Sequence, residues 1–371
     1  MTRPLVYYIS GHGFGHASRS IEVVNAVLAR RPDLPVHIRT AAPRWLFDLT
    51  VRGPFVFHAV ETDPGVVQHD SLSLDAAETI RRADAYVAAL PARALEEAAV
   101  LRQLDAAFVA ADIPPLGLEA ARLAGLPAIA VGNFTWDWIY RDYAGGGAAA
   151  DAIGEVYRRA ERALRLPLAG GFETFGTVTD LPFVARHARH DPAETRRRLG
   201  LPDGRLALVS FGGYGVAGID LDTLSRTEGW TLLVSASVPF GPERVPLAQA
   251  GVRGALFPLD EPAMYAQGLR YEDVVAAVDV VVTKPGYGII SECLANDTAL
   301  LYTDRGHFIE YDVLAREMPR HVRCAYVPQA EILTGRWQAA LDAVMTVPRP
   351  AAPLGTNGAA VAADWILAQF D

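Results

Sequence analysis

The chain has 371 residues, of which 51% are apolar and 21% charged, and its formal net charge is −9. That length accommodates two domains at ~150 residues each, and an acidic chain with no long basic run is a poor direct partner for nucleic acid. Its 2 cysteines, Cys293 and Cys324, make no disulfide framework and point to a reducing compartment. The apolar run at residues 5–9 is too short for a secretory signal, and no run reaches the ~20 apolar residues of a membrane span, so a cytoplasmic location is expected.

Residues 5–9 read as the first strand. They feed directly into Gly11-His12-Gly13-Phe14-Gly15-His16-Ala17-Ser18-Arg19, after which Ile21, Val24, Val27 and Leu28 fall at helical spacing. The spacing of the glycines is not the dinucleotide fingerprint, because a histidine closes it. A histidine in a strand-to-helix loop stands at the carboxyl edge of a sheet, where open α/β sheets bind ligands. His16 is the preferred general base near pH 7, with His12 as the second candidate. The plainer role for either is a hydrogen bond to loop backbone. Gly13 and Phe14 lie in the same loop and are assigned to the acceptor side.

Strand and helix patterns then alternate. Residues 36–40 are a strand, residues 76–104 a helix that Pro91 kinks or breaks, and residues 106–110 a strand ending at Asp112. A helix over 116–124 and a strand over 127–132, ending at Asn133, follow. This alternation predicts a parallel, doubly wound sheet with Asp112 and Asn133 on the edge that carries the histidine loop. The aromatic stretch Asn133-Phe134-Thr135-Trp136-Asp137-Trp138-Ile139-Tyr140 is either a helix capping the core or a wall of the acceptor pocket. Trp136 and Asn133 are candidates for that wall, and Asp112 and Asp137 are reserve acid or base groups. Residues 144–150, all Gly and Ala, are expected to be a mobile loop, with helix resuming over 153–164.

A linker is expected over residues 179–192, around Pro182, His187, His190 and Pro192. Residues 206–211 open a second sheet and run into Gly212-Gly213-Tyr214-Gly215. Strands at 230–235 and 254–257 and a helix at 271–277 lead to the stretch that dominates this half: Val280-Val281-Val282-Thr283-Lys284-Pro285-Gly286-Tyr287-Gly288-Ile289-Ile290-Ser291-Glu292. It reads as a buried strand, a glycine turn and a helix starting near Ile289. Backbone at such a turn can approach a ligand closely, and the unpaired amides and dipole of the helix favour phosphate. Glu292, expected on the first turn, could accept hydrogen bonds from ribose hydroxyls. Of the 34 Lys and Arg residues only Lys284 is a lysine, which suggests that this turn needs a compact ammonium rather than a planar fork. A strand at 299–302 and a polar loop over 303–311, carrying Glu310 and Tyr311, follow. A last helix spans 359–370. Asp220-Leu221-Asp222 matches a metal-binding D-x-D, a three-residue pattern too common by chance to carry weight.

The repetition of strand, glycine turn and helix predicts two Rossmann-like α/β domains facing across a cleft, the GT-B arrangement of glycosyltransferases. The expected domains are residues 1–178 on the acceptor side and 179–352 on the nucleotide-sugar side, with 353–371 a C-terminal helix packing back on the first domain. Gly11 to His16, Asn133 to Tyr140, and Lys284 to Gly288 with Ser291 and Glu292 resemble the glycosyltransferase-like domain that precedes the sugar kinase in plant L-arabinokinases. No kinase-like segment follows here, so kinase activity is not implied. More distantly, the chain resembles the N-acetylglucosaminyltransferase of peptidoglycan synthesis. That resemblance implies a base at His16, a UDP-ribose contact at Glu292 and a donor-sugar loop at residues 307–311, where the family's glutamine pattern is absent.

The function expected is transfer of a sugar from a nucleotide sugar, UDP-linked in view of these families, to an acceptor that is a small molecule or glycan. Donor contacts are assigned to Gly212, Gly213, Tyr214, Lys284, Gly286, Tyr287, Gly288, Ser291, Glu292, Glu310 and Tyr311. No metal or other cofactor is expected, since amides and a helix dipole can neutralise the leaving diphosphate. Leu300 stands where retaining enzymes of this fold carry a second Glu, which favours inversion. A sugar-nucleotide 2-epimerase and a non-catalytic nucleotide-sugar sensor are the alternatives.

Overall fold

Two parallel sheets organise the chain in the computed structural model, which describes residues 2–212, 216, 218–235 and 254–370. One unit comprises Met1–Val67, Asp75–Ala185 and Gly355–Asp371, and the other Gln68–Leu74 and Arg186–Leu354.

The first unit holds β1 (Leu5–Ile9), β2 (Val36–Thr40), β3 (Val56–Ala59), β4 (Phe108–Asp112), β5 (Ala128–Phe134), β6 (Arg162–Gly170) and β7 (Thr177–Asp180). They lie in the order β3-β2-β1-β4-β5-β6-β7, every pair parallel. β1 is apolar at every position and wholly buried, as a central strand covered on both faces must be. Each large side chain so buried contributes ~1.5–3 kcal/mol. The first helix, Gly13–Arg30, turns Ile21, Val24, Val27 and Leu28 inward. The last helix, Gly358–Leu367, belongs to this unit: Asp364 pairs with Arg30 at 2.7 Å, and Trp365 lies 6.2 Å from the ring of Phe108.

The second unit holds β8 (Arg205–Val209), β9 (Trp230–Ser235), β10 (Leu256–Leu259), β11 (Val280–Thr283), β12 (Ala299–Tyr302) and β13 (Cys324–Tyr326), in the order β10-β9-β8-β11-β12-β13, again all parallel. In each sheet the chain winds outward from the centre in one direction and then returns to wind in the other. The switch points fall between β1 and β4 and between β8 and β11, and ligands of doubly wound sheets bind at the carboxyl ends of such strands.

Four expectations need correction. The helix Ala76–Gln103 continues through Pro91; Ile80, Tyr86, Leu90, Ala94 and Leu101 keep one apolar face buried, which outweighs one lost backbone bond. Residues 147–150 are not loop but the first turn of the helix Gly147–Ala160, as alanine's helix propensity favours. Residues 162–164 belong to β6, where pairing with β5 on one side and β7 on the other overrides the helical composition of Arg-Ala-Leu. Residues 68–74 join the second unit. Leu72 is buried in its core with Phe211, Val216 and Val282, Ser71 donates its hydroxyl to the Phe211 carbonyl, and Gly306 N donates to Leu72 O at 2.6 Å.

Candidate active site and nucleotide site

At the first switch point the carboxyl ends of β1 and β4 are tied by Ser10 N donating to Asp112 O at 2.8 Å. His12 caps the first helix, and Gly13 enters it at φ +66°, a left-handed conformation that glycine adopts without a Cβ penalty. The helix therefore begins inside the glycine segment, and His16 sits on its first turn, only 4% exposed. His16 and Arg19, three residues apart, share a helix face, and both reach Asp112 at the end of β4. His16 Nδ1 lies 2.9 Å from Asp112 Oδ1; Arg19 donates Nε to Oδ2 at 2.6 Å and Nη2 to Oδ1 at 2.5 Å; Ser20 Oγ donates to Oδ2 at 2.9 Å. Arg19 also donates Nη1 to Asn133 Oδ1 on β5 at 2.5 Å.

Burial alone would raise the Asp112 carboxyl, but Arg19 and His16 override it and hold it down at about 2. Asp112 Oδ1 and Arg19 Nη2 both lie 2.9 Å from His16 Nδ1; the carboxylate only accepts and the guanidinium only donates, so a proton on Nδ1 bonds Asp112 and a bare Nδ1 bonds Arg19. The tautomer that bonds Asp112 leaves Nε2 as the basic nitrogen of the ring.

A further layer of contacts lies around the imidazole. Trp136, wholly buried on the short helix Trp136–Arg141, stacks with His16 at 6.1 Å and 29° and meets His12 edge-on at 5.6 Å. Phe134, Trp136 and Tyr140 are buried, and Trp138 is half-buried. The indole Nε1 donates to Asp63 Oδ2 at 3.1 Å, and Ser10 Oγ donates to Asp63 Oδ1 at 2.9 Å. His12 Nδ1 accepts from Val66 N at 3.3 Å, and a Cβ on Gly65 would come within 2.9 Å of that same ring nitrogen. Phe14 is exposed and packs edge-on against exposed Trp45 at 5.8 Å. Asp137 is buried against Gly154, and burial raises its pKa, but no described contact ties it to either histidine. The structure thus brings His16, His12, Asp112, Asn133 and Trp136 together and places Asp137 aside.

At the second switch point the helix Tyr287–Ala295 begins two residues earlier than expected, with Gly286 as its N-cap. Glu292 is therefore on the second turn. It is 3% exposed and accepts from Arg186 through Nε at 2.7 Å and through Nη2; Arg186 also lies 3.3 Å from Glu272. Any ribose contact by Glu292 is one shared with Arg186. A Cβ on Gly286 would meet nothing within 4 Å, and its φ of −156° is open to any residue, so the fold itself does not demand glycine there. Ser291 Oγ donates to Gly288 O at 2.8 Å, closing the helix's own first turn. Lys284 follows β11. Burial pushes its ammonium down to about 7, the Arg305 guanidinium acting the same way and the Glu310 carboxylate opposing. Tyr287 and Glu310 are buried and Tyr311 is half-buried. Gly212 lies beyond the end of β8 at φ +74°; Gly213 and Tyr214 fall outside the described residues. Asp220 caps the helix Leu221–Leu224 by accepting from Thr223 N at 3.0 Å.

Arg19, Ser10, Asp63 and Arg186 contact the candidate site residues and were not singled out in the sequence. The i,i+3 spacing of His16 and Arg19 was a usable sign. Asp63 and Arg186 come from distant segments and had none.

No protein-family model matches the chain. An L-arabinokinase of Arabidopsis thaliana is 31% identical over 372 residues, covering 96% of this chain and 33% of that protein, so the chain spans about one third of the length of the curated relative it matches. Among solved structures, the glycosyltransferase of kitacinnamycin is similar with a TM-score of 0.63 at 17% identity, over 99% of both chains. UGT2 of Phytolacca americana, solved with UDP-2-fluoro-glucose and pterostilbene, has a TM-score of 0.58 at 14% identity, over 100% of this chain and 94% of that one. In sequence the chain is similar to one third of an L-arabinokinase, and its two doubly wound sheets give it the GT-B fold found in glycosyltransferases.

Proposed function

We propose that this protein is a glycosyltransferase that moves a sugar from a nucleotide sugar, UDP-linked, to a hydroxyl acceptor with inversion and without a metal ion. The observation that carries the reading is the His16–Asp112 pair at the first switch point, a buried imidazole 2.9 Å from an ionised carboxylate. His16 Nε2 takes the proton of the acceptor hydroxyl as its oxygen bonds the anomeric carbon. The bond from that carbon to the β-phosphate oxygen breaks, and the nucleoside diphosphate leaves with the electron pair. Inversion follows from this single displacement. Amides at the start of the helix Tyr287–Ala295, its dipole and the Lys284 ammonium offer positive charge to the leaving diphosphate. A UDP donor is supported by the UDP sugar named for the Phytolacca americana relative in fold.

The test is incubation with a panel of nucleotide sugars and no acceptor, with sugar and nucleotide followed separately. Slow release of free sugar and UDP from one donor supports the reading. Epimerised nucleotide sugar, or tight binding with no turnover over days, overturns it in favour of an epimerase or a sensor.

A further inference from the structure

We propose that Asp63 is a positioning residue for His16, holding the Trp136 indole against the imidazole and the Ser10 hydroxyl at the end of β1. It rests on the reading of His16 as the base. Asp63 lies on the connection after β3 and is 5% exposed. Its two carboxylate oxygens are matched to two donors of different elements: Ser10 Oγ at 2.9 Å, just beyond β1, and Trp136 Nε1 at 3.1 Å, from the helix after β5. An indole N–H only donates, so a buried Trp136 needs an acceptor, and Asp63 supplies it. The ring so fixed is the one that stacks with His16 at 6.1 Å and abuts His12.

The connection does not depend on this carboxylate for its own path. Thr62 Oγ1 donates to Ile9 O at 2.8 Å, Tyr86 OH to Thr62 O at 2.9 Å, and Tyr140 OH to Gly65 O at 3.0 Å. What Asp63 adds is the orientation of Trp136 and Ser10. Burial raises its carboxyl to about 7, the bonds from Ser10 and Trp136 restraining the rise. A buried carboxyl that, among the described residues, takes two neutral donors and no cation is a costly choice for a purely structural peg. The position adjoins the residues that orient the base.

The test joins NMR of the His16 ring protons with steady-state kinetics. Asp63→Ala frees the indole, so the ring-current displacement of the His16 resonances should relax and kcat should fall by about 10²-fold, as for a small misplacement of a reacting group. The KM for the nucleotide sugar should stay within about twofold, and Asp63→Asn, which keeps an acceptor for the indole, should recover most of both signals. Trp136→Phe removes only the N–H and part of the ring; it should reproduce the loss, and adding Asp63→Ala to it should cost little more. It carries the test if Asp63→Ala does not fold. Unchanged His16 resonances and kcat in Asp63→Ala, or a raised donor KM with kcat intact, would overturn the proposal. A wild type with no turnover but with Asp63-dependent His16 resonances would sink the transferase reading and leave the positioning role standing.

Discussion

Replacing Asp112 by Asn tests the charge balance at the first switch point. The carboxylate is wholly buried and is the counter-ion of Arg19, itself 5% exposed. The neutral amide keeps the shape but removes the carboxylate charge that the Arg19 guanidinium faces at 2.5 Å. Breaking one side of a buried pair costs ~3–5 kcal/mol. At ~2–4 °C per kcal/mol for a unit of this size, the first unit's transition should fall by about 6–20 °C in calorimetry at pH 7. Removing both charges with Arg19→Met and Asp112→Leu should restore a large part of that loss, because the desolvation of both ions is relieved. Asp112's pKa is depressed in the fold, from the ordinary 3.8 to about 2. Its stabilisation is therefore full above about pH 4 and lost as pH falls through about 2, so the penalty of Asp112→Asn should shrink only in that acid window. A variant within about 0.5 kcal/mol of wild type at pH 7, which is the range of an ordinary surface change, would refute the reasoning.

Lys284 should make nucleotide binding pH-dependent. Its ammonium is lost above about 7 in the unliganded protein, so UDP affinity by calorimetry should decline from pH 6 to 8.5, and Lys284→Arg should flatten that decline. Glu292→Ala should weaken UDP binding by ~1–3 kcal/mol, as for a charged hydrogen bond, and should also lower stability by stranding Arg186; unchanged affinity with lowered stability would reduce Glu292 to an ion-pair partner. Asp63 titrates higher in the fold than the ordinary 3.8, at about 7, so its contribution favours folding at acid pH and is lost as pH rises through about 7. Asp63→Asn should therefore gain stability over wild type between pH 4 and 8, by on the order of 4 kcal/mol from 1.36 kcal/mol per pKa unit; parallel pH profiles would contradict this.

The features legible in the sequence are those that local physics writes in one place. β1 and β11 are short, uninterrupted apolar runs broken by glycine, and each run is followed by its turn and helix, the second helix starting two residues early at Tyr287. The repetition of that unit was enough to anticipate the GT-B fold. His16 and Asp112 were readable as edge residues because strands end where apolar runs end, but their hydrogen bond was not. It depends on the parallel register of β1 and β4, which brings together residues 96 positions apart. Arg186 reaches Glu292 across 106 positions and Asp63 reaches Trp136 across 73, and neither carries a local mark. β6 was hidden because Arg-Ala-Leu-Arg-Leu suits a helix as well as a strand, and the neighbouring strands β5 and β7 decide it. The insertion of residues 68–74 into the second unit turns on Leu72 in its core and on the hydrogen bonds of Ser71 and the Leu72 carbonyl, none of which a local pattern marks.

The most direct test of the central claim is turnover and UDP affinity of His16→Ala measured side by side, with His12→Ala as the control. The account predicts a fall in glycosyl transfer of ~10²–10⁴-fold for His16→Ala, the worth of general-base assistance. UDP affinity should remain close to wild type, because the residues proposed to hold the nucleotide belong to the other unit, and His12→Ala should be milder. Near-normal turnover in His16→Ala, or a loss of turnover that follows a loss of UDP affinity, would contradict it.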